Sequence, residues 1–96
     1  MRVLVVEDEV RLAAGLRTGL EAEGFAVDVA HDGVDGLWLA QENPYAVVLL
    51  DLMLPGLDGY QVCRRLREAG CWVPVLMLTA LGETEDQVEG LESGAD

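Results

Sequence analysis

Positive charge is scarce in this chain: six Lys and Arg stand against 18 Asp and Glu, for a formal net charge of −12. That shortage excludes DNA or an anionic membrane as the partner of this segment, because phosphate binding needs clustered cations. It favours cations, or a partner with a basic patch. Cysteine and histidine are scarce too. Cys63 and Cys71 match no metal or redox spacing, and with a single His in the chain a zinc site is not expected. The two are read as free thiols of a cytosolic protein. Long apolar runs are also missing: no stretch approaches the ~20 residues of a membrane span. The run of about four apolar residues after Arg2 is too short for a signal peptide. A soluble, cytoplasmic protein is expected.

What is present points to one modest core. Ninety-six residues make at most one domain, and 51% apolar content with a mean hydropathy of +0.24 excludes disorder. Three Val- and Leu-rich runs, 3–6, 46–50 and 75–78, do not alternate with polar residues. Such runs are strands buried on both faces, as in a parallel sheet covered by helices. A weaker fourth, "FAVDVA" (25–30), alternates somewhat and belongs nearer an edge.

Between the strands lie helical patterns. Residues 9–23 place Leu12, Leu16 and Leu20 on one stripe and stop at Gly24. Residues 34–41 carry Leu37, Trp38 and Leu39 and end before Pro44. Asp58 is an N-cap for a helix through Glu68 with Val62, Cys63 and Leu66 inward. Residues 83–93 form a short acidic helix with Val88 and Leu91 to bury. The order β-α-β-α-β-α-β-α gives a three-layer α/β sandwich. There is no internal repeat, low-complexity tract or interdomain linker. The chain stops at "GLESGAD", which leaves "VPVLML" with a free edge, so a fragment of a larger domain is expected.

Each strong strand runs into a polar group: 2–6 into Glu7 and Asp8, 46–50 into Asp51, 75–78 into Thr79. The carboxyl ends of parallel strands share one sheet edge, where ligand crevices form. Each residue also has a bland reading. Glu7, Asp8 or Glu9 can favour the following helix N-terminus, and Thr79 can be a turn residue. Asp51 is harder to dismiss, since Leu52, Met53 and Leu54 follow it, and the coincidence across three strands favours a site. Like charges ~4 Å apart at an effective dielectric near 20 cost about 4 kcal/mol. A hard divalent cation removes that cost, and Mg²⁺ binds through one or two carboxylates plus substrate phosphate. A carboxylate beside Mg²⁺ can attack phosphorus to form an acyl phosphate, with Thr79 bonding a phosphoryl oxygen. "EDEVRLAAG" has neither GxGxxG nor Walker spacing, which argues against a nucleotide-binding sheet.

With "VLVVEDE", "VVLLDLMLPGLDG" and "VPVLMLTA" followed by "GLESGAD", in that order and spacing, the whole chain closely resembles the receiver domain of two-component response regulators, particularly the OmpR/PhoB-like subgroup. The resemblance implies a flavodoxin-like (CheY-like) fold with strand order 2-1-3-4-5. It implies that Asp51 accepts a phosphoryl group from a sensor histidine kinase. Asp8 would bind Mg²⁺ directly, Glu7 partly through water, and Met53 through its backbone carbonyl. Thr79 would be the switch hydroxyl, and Ala80 the small neighbour that leaves the phosphoryl group accessible. The protein would be no enzyme, though it would assist its own phosphorylation and dephosphorylation.

Residues 1–96 would form a receiver domain incomplete at its C-terminus. The family's fifth strand, final helix, lysine and switch aromatic would have no counterpart in these 96 residues. "Tyr-Asp" before the third strand is Tyr45-Ala46 here. DNA would be bound only through an effector domain absent from these residues, and the exposed last strand would promote a homodimer or strand-exchanged dimer. A haloacid-dehalogenase-like phosphohydrolase is a rival, but it wants an aspartate where Met53 stands. A pseudo-receiver used only for protein contacts is a third reading, which the intact acidic trio opposes.

Overall fold

The computed structural model describes residues 1–78, which run β1 (Arg2–Val6), α1 (Val10–Ala22), β2 (Ala26–Ala30), α2 (Gly33–Glu42), β3 (Val47–Asp51), α3 (Gly59–Glu68) and β4 (Val75–Leu78). The four strands are all parallel and lie in the order β2-β1-β3-β4. This is the fold class and the strand order expected for residues 1–78. The expected helix at 83–93 lies outside the described residues, as do Thr79 and Ala80.

Val3 to Val6 are all buried, so β1 is dry on both faces, as its unbroken apolar run required. One face carries Leu4, Val6, Val48, Leu50, Val75 and Met77, packed with Ala40 of α2 and Val62, Cys63 and Leu66 of α3. The other face carries Val3, Val5 and Val27, against which Leu16 and Leu20 of α1 pack. The sheet is therefore the middle of three layers, with α1 on one side and α2 and α3 on the other.

The helix ends follow their local chemistry. Glu9 caps α1 by accepting a hydrogen bond from the Arg11 N–H. The same helix stops at Gly24, whose φ of +96° lets its N–H reach the Glu21 carbonyl while the Phe25 N–H reaches that of Leu20. Asp58 and Gln61 form a reciprocal capping box at the start of α3. α2 extends one residue beyond the expected span at each end, and Trp38 is exposed on it.

The stripe expected on α1 needs one correction. Leu12 is exposed, whereas Ala13 is buried. The inward face centres on Ala13 and Leu20, and one residue of helix rotates Leu12 by about 100° away from Ala13.

At the opposite end of the sheet from the strand C-termini, the Tyr45 hydroxyl donates to Asp28 Oδ2 at 2.8 Å and Arg2 pairs with the same oxygen at 3.0 Å. These bonds hold the Asp28 carboxyl below its usual range, Tyr45 contributing most, and burial followed by the bond to Asp28 pushes the Tyr45 phenol up to about 12. The group ties outer strand β2 to the start of β1 and the segment leading into β3.

Candidate functional site

The pairing register brings the site together. Val6 stands opposite Ala30 on one side and Leu50 on the other, so the next row holds Glu7, His31 and Asp51. The Glu7 N–H still donates to the Ala30 carbonyl at 2.9 Å, extending the ladder one residue past β1 and carrying Glu7 under cover. Glu7 is 4% exposed, while Asp8 is exposed and Asp51 is half-buried. One carboxylate oxygen from each of the three lies within 4.8 Å of the others.

This arrangement is under electrostatic stress. Among the described residues, Glu7 Oε2 is buried without a hydrogen-bond partner. Burial pushes the Glu7 carboxyl from its ordinary 4.5 up to about 8, and hydrogen bonding with Asp51 and the charges of Asp51 and Asp8 push it the same way. Two ionised carboxylates can only accept, so the bond between Glu7 and Asp51 forms only when one of them takes up a proton. A divalent cation offers the other way to satisfy the trio. Three hard oxygen donors suit Mg²⁺, and the orphaned Oε2 is the kind of group such an ion would engage.

The backbone around Asp51 is tightly specified. The Met53 N–H donates to Asp51 Oδ1 at 3.2 Å, which fixes one oxygen of the carboxylate. The Met53 side chain is 74% exposed, so it contributes no group to the site. A phosphohydrolase would need an ionisable acid there. The Gly59 N–H donates to the Leu52 carbonyl at 2.9 Å, and a Cβ on Gly59 would lie 2.6 Å from the Asp51 carbonyl oxygen. Only glycine lets α3 start this close to the strand end. An open cleft of about 530 Å³ nearby is lined by Leu52, Met53, Leu54, Asp58 and Tyr60, with no member of the acidic trio, so the chemistry lies beside it.

Of the expected site residues, the structure brings Glu7, Asp8 and Asp51 together and sets Met53 beside Asp51; Thr79 and Ala80 lie outside the described residues. Two neighbours of the trio were not expected. One is the Met53 amide; the other is His31, whose Nδ1 lies 3.0 Å from the Glu7 carbonyl oxygen. The signal for His31 was present, since β2 also runs into a polar residue at its carboxyl end. Among the described residues, no helix is long and apolar enough to cross a membrane.

Residues 3–96 match the pattern of the response regulator receiver domain. Over 96 residues the chain is 54% identical to the transcriptional regulatory protein CutR of Streptomyces coelicolor, covering 100% of this chain and 44% of that protein. It is 48% identical to TcrA of Mycobacterium tuberculosis, covering 100% and 38% respectively. At 46% identity it covers 42% of CusR of Escherichia coli. It thus spans roughly two fifths of the length of these relatives. Among solved structures, the receiver domain of the Francisella response regulator 1452 superposes with a TM-score of 0.92 at 40% identity, over 99% of this chain and 78% of that one. The response regulator TrrA of Thermotoga maritima, solved in complex with Mg²⁺–BeF, superposes with a TM-score of 0.86 at 29% identity, over 99% and 81%. With its OmpR/PhoB-like relatives, the chain belongs to the response regulator receiver domain family.

Proposed function

We propose that this domain is a phosphorylation-dependent switch in which Asp51 is the phospho-acceptor and Glu7, Asp8, Asp51 and the Met53 carbonyl hold Mg²⁺. The observation that carries the reading is the convergence of three carboxylates within 4.8 Å, one of them with a buried oxygen that has no partner among the described residues. The Mg²⁺–BeF complex of TrrA supports the same chemistry by family likeness.

The steps follow from the chain's own groups. Met53 N–H holds Asp51 Oδ1, leaving the second oxygen to attack phosphorus. An O–P bond forms and the N–P bond of a phosphohistidine on the partner kinase breaks. The imidazole leaves with the electron pair, and Asp51 becomes an acyl phosphate. Bound Mg²⁺ would supply positive charge against the carboxylates and the incoming phosphoryl oxygens. Thr79 would hydrogen-bond the phosphoryl group and Ala80 would leave it accessible, roles carried over from the family motif. Water attack on the acyl phosphate resets the switch, and the domain assists both steps without being a turnover enzyme.

The partner would be a sensor histidine kinase in the cytoplasm. The output would be transcriptional, through a DNA-binding effector outside these 96 residues, as the names and greater length of the relatives suggest. Beta-strand β4 is an outer strand among the described residues and Leu76 on it is 51% exposed, which supports self-association through that edge. A monomer by light scattering at high concentration would remove that last element.

The deciding experiment is phosphorylation by a small phosphodonor with Mg²⁺. Label should enter the wild type and be absent from Asp51→Asn. Label persisting in that variant would sink the assignment.

A further inference from the structure

We infer that His31 is a positioning residue for the acidic cluster, its Nδ1–H holding the Glu7 carbonyl and so setting the affinity for the divalent cation; this rests on the function proposed above. The Glu7 carbonyl belongs to the planar peptide that continues into Asp8. Fixing that carbonyl fixes the plane from which the Asp8 side chain departs and the one to which Glu7 is attached. The Glu7 N–H is already anchored on Ala30 at 2.9 Å, so the imidazole at 3.0 Å clamps the residue from its other side.

A continuing parallel ladder would take its next donor from the backbone of residue 32. Instead β2 ends at Ala30, and Asp32 turns away to cap α2 by accepting from the Asp35 N–H at 2.8 Å. The His31 side chain supplies the donor in its place. A carbonyl only accepts, so the proton must sit on Nδ1, and the ring nitrogen that remains is the acceptor. Removing a hydrogen-bonding group that orients a metal ligand typically costs about 10–100-fold in metal affinity.

Two readouts on the intact regulator test the assignment, both at pH 8. In the wild type, ring ¹⁵N shifts should show the Nδ1–H tautomer; an Nε2–H tautomer would overturn the proposal. Mg²⁺ titration by calorimetry should then separate His31→Asn from His31→Gln and His31→Ala. The Asn amide nitrogen occupies the place of Nδ1, so its affinity should stay near the wild-type value, whereas Gln and Ala should weaken binding about tenfold. Three variants that bind alike would overturn the proposal. So would an Asn variant as weak as Ala. A wild type that binds Mg²⁺ but never forms an acyl phosphate would remove the functional reading while leaving the tautomer and the Asn–Gln split in force. A wild type that binds no Mg²⁺ would overturn both.

Discussion

Removing the charge at Glu7 should make the metal-free domain more stable, not less, and the gain should grow with pH. The folded-state carboxyl of Glu7 titrates near 8, against an ordinary 4.5 when the chain is unfolded. Between those values the folded state binds one proton more than the unfolded state. Stability therefore falls as pH rises through the window, by about 1.4 kcal/mol per pH unit at most. The accumulated loss at pH 7 is on the order of 3 kcal/mol, and Glu7 is buried enough for little of it to be screened. Glu7→Gln cannot ionise, so it lacks this loss. The carboxylates outside the trio are common to both proteins and cancel when the slopes are compared. For a domain of this size, 3 kcal/mol corresponds to a melting temperature difference on the order of 10 °C. Thermal melts followed by circular dichroism from pH 5 to 8 in chelator give the two slopes directly. The wild-type curve should fall more steeply, with Glu7→Gln ahead at pH 8. Saturating Mg²⁺ should then raise the wild type more than the variant. Parallel pH profiles would refute the argument that burial and like charge stress this site.

Three further outcomes follow from the same structure. Mg²⁺ binding at pH 7 should displace the proton that Glu7 holds, so the calorimetric enthalpy should vary with the ionisation enthalpy of the buffer; no variation would mean Glu7 is already ionised. Tyr45→Phe removes the largest influence depressing Asp28, a stabilisation present above the unfolded carboxylate value and lost as pH falls through the folded one. It should cost about 1 kcal/mol in urea unfolding at pH 7 and less in strong acid, and a gap constant with pH would contradict the charge-assisted bond. Gly59→Ala places a methyl 2.6 Å from the Asp51 carbonyl oxygen and should cost about 1–3 kcal/mol in thermal stability, with weaker acyl phosphate formation. An unchanged melting temperature there would show that α3 retreats freely.

The legible parts of the sequence were those in which one residue type decides the outcome alone. Unbroken apolar runs fixed three strands to within a residue, and "FAVDVA" declared itself an outer strand by its alternation. Asp58 and Gly24 marked helix ends because capping is local chemistry. Asp51 stood out because a carboxylate at the end of a dry strand needs a reason. What stayed hidden depends on register and rotation. Leu12 fits the helical spacing, but which side of a stripe meets the sheet is decided by where α1 sits on β1 and β2.

The unequal fates of Glu7 and Asp8 follow the same rule. Adjacent in sequence and alike in chemistry, they part because the ladder to β2 runs through the Glu7 N–H and no further, leaving Glu7 inside and Asp8 out. That single extra hydrogen bond leaves one acid of the pair buried, with its carboxyl pushed up, and the other open to solvent. The repulsion inferred from three carboxylates at one sheet edge therefore does not spread evenly. At Glu7, the member farthest from water, burial is the larger cause and the charges of Asp51 and Asp8 add to it, which is why the charge at Glu7 should govern the metal-free pH dependence.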